Sequence, residues 1–92
     1  ELPFKPNRFI ELLKVINERK TTKQEIIELM NSKFGWYKKM SDTYLRYLRL
    51  WELVIKTENK FYSVTPLGRI IIHLWDLNAE QSRLLYTSDA AD

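Results

Sequence analysis

The residues able to do chemistry are few, and their types exclude most of it. The chain of 92 residues contains no Cys, which removes thiolate nucleophiles, thiolate zinc sites and disulfide frameworks. Its single His, His73, cannot build a multi-histidine metal site, and no nucleophile or carboxylate stands beside it at helical or strand period. Two Gly in the whole chain leave no material for a phosphate-cradling glycine-rich loop. Glu18-Arg19-Lys20 and Glu58-Asn59-Lys60 both fit the Glu-x-Lys string of metal-dependent nucleases. That chemistry also needs an upstream Asp, with the Glu-x-Lys on a core strand, so that the carboxylates share a metal. Only Glu1 and Glu11 precede Glu18 as acidic groups, and Glu58 falls in a turn. No catalytic group, metal site or cofactor is expected within these residues. If the parent protein is an enzyme, its active site lies outside them.

What the residues do offer is cationic and aromatic. Lys33 to Lys60 holds seven basic and three acidic side chains, a local +4 in a chain whose net charge is +3. Such a cluster suits a polyanionic partner. The plain alternative is a solvated face, since 29% of the chain is charged. The 45% of hydrophobic and 13% of aromatic residues suffice for one small packed core, so one domain is expected rather than two. The longest apolar run, Ile70-Ile71-Ile72, is far too short to span a bilayer. The chain opens on Glu1 without a signal peptide. It reads as a cytoplasmic, nucleoid-associated piece of a longer protein.

The elements that must position these side chains follow from periodicity. Residues 1–6 form a lead-in with Pro3 and Pro6. A first helix runs from Asn7 to about Arg19-Lys20, with Phe9, Leu12, Leu13 and Ile16 on one face. Thr22-Lys23-Gln24-Glu25 is a capping box opening a second helix, which buries Ile26, Ile27, Leu29 and Met30 and is broken by Gly35. An aromatic, basic connector follows from Lys33 to Met40, where packing is expected of Trp36 and Tyr37. Ser41 is the expected N-cap of a third helix, and Asp42 suits its first turn. Leu45 and Leu48 share its inner side, Trp51 is assigned to the core, and Thr43, Arg46, Tyr47 and Leu50 face out. Leu53–Thr57 and Phe61–Thr65 are β-rich runs around a three-residue turn in which Asn59 can take positive φ. Thr65-Pro66 starts a fourth helix, expected to bury Leu67, Ile70, Ile71, Leu74 and Trp75, with His73 on the surface. A short helix or linker over residues 78–83 is capped at Asn78.

Residues 84–92 close the chain as Leu-Leu-Tyr-Thr-Ser-Asp-Ala-Ala-Asp, and within them Thr-Ser-Asp-Ala-Ala-Asp has neither apolar period nor turn logic. They resemble a translated sequencing adapter of the transposon-end type, and so stand outside fold reasoning; a natural disordered terminus is the alternative. Without Asp89 and Asp92, residues 1–83 carry +5.

The order α-α-α-β-β-α gives a mostly α domain, residues 7–77, with a small β-hairpin closing the edge of a three-helix core. It resembles the winged helix-turn-helix superfamily over residues 7–75. The best match is Leu45-Arg46-Tyr47-Leu48-Arg49-Leu50-Trp51-Glu52-Leu53-Val54, then the hairpin, then Tyr62-Ser63-Val64-Thr65-Pro66-Leu67-Gly68-Arg69. Two features depart from that pattern: Glu52 stands where such members commonly have Gly, and the connector before helix 3 reads as longer than in simple repressors. Pro3-Phe4-Lys5-Pro6, Phe9–Leu13 and Thr22–Glu25 also look like the DNA-reading winged helix of some type II restriction endonucleases.

The resemblance implies double-stranded DNA as partner, with helix 3 in the major groove and the wing on the backbone. The base-reading set is then Ser41, Asp42, Thr43, Arg46, Tyr47 and Leu50. Arg46 suits guanine, and Thr43 and Leu50 suit a thymine methyl. Lys38, Lys39, Arg49, Lys56 and Lys60 would hold phosphates. The parent would be a restriction endonuclease or a transcriptional regulator. The competing reading is a winged helix used for protein contact or homodimerisation, through helix 4 or the Trp36-Tyr37 connector.

Overall fold

Pro6 starts the first helix, because its fixed φ suits a first helical position and its missing N–H costs nothing there. The computed structural model describes the backbone of residues 5–91 and the side chains of residues 5–84. Residues 1–4 of the expected lead-in and most of the adapter-like segment thus lie outside the described side chains. The elements are α1 (Pro6–Glu18), β1 (Thr21–Thr22), α2 (Lys23–Phe34), α3 (Lys38–Leu50), β2 (Val54–Lys56), β3 (Phe61–Val64) and α4 (Pro66–Ala91). The protein is mostly helical with a small antiparallel sheet in the order β1-β3-β2.

The core forms where the helical stripes converge on the sheet. Phe9, Leu12, Leu13 and Ile16 of α1 meet Ile26 and Met30 of α2, Tyr44, Leu45 and Leu48 of α3, and Val54, Tyr62 and Val64 of the sheet. Leu12, Leu13, Ile26 and Leu48 are wholly buried, each contributing roughly 1.5–3 kcal/mol from the apolar surface removed from water. Trp36 packs into the same core, tilted 5.2 Å from Tyr44.

Local chemistry sets the element ends. At α2 the Thr22 hydroxyl accepts from the Glu25 N–H while the Glu25 carboxylate accepts from the Thr22 N–H, the reciprocal capping expected. Gly35 ends α2 with φ 72°, its N–H donating to the Asn31 carbonyl and the Trp36 N–H to the Met30 carbonyl. The glycine is required by that left-handed backbone, since nothing would touch an added Cβ.

Several expectations give way. The connector between α2 and α3 is only residues 35–37, and α3 starts at Lys38 behind an extended Tyr37. Ser41 is therefore not an N-cap. It lies inside the helix on the i, i+3, i+4, i+7 stripe with Tyr44, Leu45 and Leu48, and is fully buried. That stripe decides the register over local capping preference. The Ser41 Oγ and the Tyr44 hydroxyl are buried without a hydrogen-bond partner among the described residues.

Trp51 is not core. It ends α3, is 42% exposed, stacks on Tyr47 at 5.7 Å and lies tilted against Phe9 at 5.0 Å. Glu52 takes φ 61°, so the α3 exit keeps a left-handed residue although Glu occupies the position. In the hairpin, positive φ falls on Lys60 (66°), not Asn59. The Lys60 N–H donates to the Thr57 carbonyl, and the third loop residue carries the left-handed conformation that closes such a loop. Thr21-Thr22 adds a third strand on β3, pairing Thr21 with Tyr62 and Thr22 with Phe61. Lastly, α4 does not break near Asn78, and it buries Ile72 and Gly68 while Leu67, Ile70 and Leu74 stay exposed.

Candidate nucleic-acid interface

The face of α3 opposite its core stripe carries Lys39, Thr43, Arg46 and Leu50. These four recur at helical spacing about 180° from Ser41, Tyr44, Leu45 and Leu48. The Arg46 side chain is 76% exposed and Leu50 is 70% exposed. No other element of the described residues covers them. The Thr43 hydroxyl donates back to the Lys39 carbonyl at 2.9 Å, which engages its only proton and leaves its methyl and its acceptor capacity to the surface.

The sequence-derived base-reading set divides. Arg46, Thr43 and Leu50 share the open face. Ser41 does not, because it is buried under the helix. Tyr47 sits at the edge toward α1, half-exposed, with its ring 6.2 Å from Phe9 and stacked on Trp51. Asp42 is held on the other edge. Its carboxylate accepts from the Lys23 ammonium at 2.6 Å and lies 3.9 Å from the Arg46 guanidinium. The Lys23 hydrogen bond, together with attraction from Lys23, Arg46 and Lys38, holds this carboxyl below its ordinary value against a smaller cost of desolvation. Asp42 is thus an ionised clamp between α2 and α3, and it draws Arg46 toward the same edge.

The cations expected at phosphates surround the open face. Lys38, Lys39 and Arg49 lie exposed on α3, and Lys56 and Lys60 lie exposed on the hairpin. Two of them meet over one ring. The Arg49 guanidinium is 5.9 Å and the Lys56 ammonium 5.8 Å from the centroid of Tyr62. Tyr62 is buried, and its ring gives the helix cation and the sheet cation one common partner, a contact worth about 0.5–1 kcal/mol each at an exposed site.

Lys23, Asp42, Leu45, Arg46, Arg49, Leu50 and Tyr62 line an open cleft of about 530 Å³ between α2, α3 and β3. Three cationic side chains therefore converge on one concavity with one carboxylate among them. Sequence reasoning missed Lys23, since a capping-box residue reads as local structure. Tyr37, expected to pack, is instead 70% exposed just before α3 and next to Lys38. Of the connector aromatics only Trp36 packs inside.

The Glu-x-Lys strings stay apart from this face: Glu18 ends α1 and Glu58 lies in the hairpin turn. Among the described residues no group of three or more His, Cys, Asp or Glu side chains could hold a metal ion, and no helix is long and apolar enough to cross a membrane. No protein-family model matches the chain, and no curated protein is similar to it.

Proposed function

We propose that this chain is a double-stranded DNA-binding module of winged helix-turn-helix type, with α3 in the major groove and the β2–β3 hairpin as a wing on the backbone. The observation that carries the reading is the uncovered α3 face of Lys39, Thr43, Arg46 and Leu50, flanked by Arg49, Lys56 and Lys60. The element order α-β-α-α-β-β-α and the three-residue connector support it as well. Arg46 donates two hydrogen bonds to guanine O6 and N7, while the Thr43 methyl and Leu50 touch thymine methyl groups. Lys38, Lys39, Arg49, Lys56 and Lys60 take phosphates and fix register, with Lys23 and Tyr37 added to that set. Asp42 orients Arg46 and Lys23 rather than reading a base. The module serves a larger DNA-acting protein, a restriction endonuclease or a transcriptional regulator.

Selection from a randomised duplex library tests this. Arg46→Ala should lose about 1–3 kcal/mol of discrimination at one G·C pair and change non-specific affinity far less. An unchanged base preference in that variant would falsify the assignment of Arg46.

A protein-contact reading has one observation in its favour. Leu50, Tyr47 and Trp51 form a continuous, partly exposed apolar edge on α3. Under that reading Leu50→Lys abolishes partner binding, whereas DNA affinity in low salt stays undetectable in the parent.

A further inference from the structure

Asp42 is the one carboxylate among the described side chains that line the cleft between α2, α3 and β3, where Lys23, Arg46 and Arg49 supply three cations. A negative charge there opposes any polyanion that approaches. The start of the helix does not account for it. Asp42 follows the first turn of α3, residues 38–41, which holds no acidic side chain, and a helix dipole acts within that turn. Stability accounts for little of it, because the Lys23–Asp42 pair leaves its side chains 46% and 37% exposed. The two oxygens of the carboxylate are used differently. Oδ1 lies 2.6 Å from the Lys23 ammonium, which fixes the carboxylate from α2. Oδ2 lies 3.9 Å from the Arg46 guanidinium, too far for a hydrogen bond. The pair has the favourable i, i+4 order, acid before base. Arg46 is therefore attracted toward one place while its side chain stays 76% exposed. No hydrogen bond to Asp42 has to break before Arg46 donates to a base.

On the DNA-binding reading, on which it rests, we propose that Asp42 is a specificity-determining residue: anchored by Lys23, it positions Arg46 for guanine and penalises complexes held by phosphates alone. In a sequence-independent complex Asp42 repels the nearby phosphates and keeps Lys23 and Arg46 partly neutralised, so binding to any duplex is weaker than the cation count allows. At a G·C pair the same repulsion acts, but Arg46 arrives already directed and offsets it with two base hydrogen bonds. A long side chain held near its working place loses less freedom on binding. Discrimination is thus gained by making the wrong complex worse as well as the right one better.

The test measures binding of the 92-residue chain to a duplex of random sequence and to the duplex that the parent selects from a randomised library, over a range of salt. Asp42→Asn keeps the shape of the side chain and removes its charge. It should bind the random duplex more tightly, with a salt slope steeper by about 0.9 for each freed cation that takes a phosphate. It should also lower the ratio of selected to random affinity by about 2–10-fold, the cost of ordering one long side chain. Asp42→Glu should restore the ratio. Lys23→Met loses the same tie between α2 and α3 but should weaken binding to the random duplex; a merely structural role of the pair moves both variants in one direction. In an Arg46→Ala background, Asp42→Asn should leave the ratio unchanged, because its effect passes through Arg46. An Asp42→Asn chain that discriminates as well as the parent overturns the inference while DNA binding stands, and so does a loss of discrimination that persists in the Arg46→Ala background. A parent that binds neither duplex overturns the DNA reading itself, and the role of Asp42 with it.

Discussion

Gly68→Ala should destabilise the domain, although alanine is the better helix former. Gly68 sits in the first turn of α4, where its N–H donates to the Thr65 hydroxyl at 3.1 Å. A Cβ at that position would come within 2.5 Å of both the Leu53 carbonyl oxygen and the Val64 Cγ1. The Leu53 oxygen cannot retreat easily, because it is backbone and accepts the Thr65 N–H at 3.0 Å. The Val64 side chain is buried in the core. The added methyl must therefore push α4 off the β2–β3 edge. Overpacking of this kind costs about 1–3 kcal/mol, and the propensity gain of up to about 1 kcal/mol offsets only part of it. The midpoint of thermal unfolding should fall by roughly 4–15 °C for a domain of this size, with the denaturant slope unchanged. Calorimetry and urea titration measure both. A Gly68→Ala variant that melts at or above the parent temperature would refute the close approach of α4 to the sheet. Gly35→Ala is the companion case: it should cost about 1 kcal/mol through its left-handed backbone alone, since no atom opposes its Cβ.

Other consequences follow from single contacts. Glu52→Gly should stabilise by about 0.5–1 kcal/mol, because Glu52 holds φ 61°, and Glu52→Ala should not; chemical denaturation separates them. Thr22→Ala removes the capping box of α2 and should cost about 1 kcal/mol by the same measurement. Trp36→Ala should cost about 3–5 kcal/mol, whereas Trp51→Ala should cost less than half of that, since Trp51 is 42% exposed; equal losses would contradict the assignment of Trp36 to the core. Acid should weaken the fold through two carboxyls held below their ordinary values, Glu25 chiefly by the Thr22 N–H and Asp42 chiefly by Lys23. A depressed folded-state value gives stability that is present above the unfolded value of about 4 and is lost as pH falls through the folded one. Glu25→Gln should flatten the pH dependence of stability below about pH 4, and a dependence unchanged by that substitution would contradict the capping geometry.

The fold was legible where strong local signals agreed with tertiary packing. The α1 stripe, the Thr22 capping box, the Gly35 stop and the Thr65-Pro66 start all carry their own physics. The failures share a cause. Ser41 is a good N-cap by type, but its place on the stripe with Tyr44, Leu45 and Leu48 puts it in the core, and packing outweighs a cap. Trp51 looks like core by size, yet it is the residue on which α3 ends. The two-residue β1 is too short to show in sequence, and its threonines already read as a cap. In α4 the sequence has two apolar sides, and period alone does not say which side meets the sheet; Gly68, the residue without a side chain, marks it. The open face of Arg46, Thr43 and Leu50 was visible from spacing. Lys23 and Tyr62 were not, because they reach that face from other elements.

The central proposal, DNA binding through α3 and the wing, is tested most directly by the salt dependence of binding to a duplex of random sequence. With Lys38, Lys39, Arg49, Lys56 and Lys60 on phosphates, log affinity should fall linearly with log salt concentration, at a slope of about −4 to −5. Lys38→Ala with Lys39→Ala should make that slope shallower by about 2. An absence of binding at low salt, or a slope the double variant leaves unchanged, would contradict it.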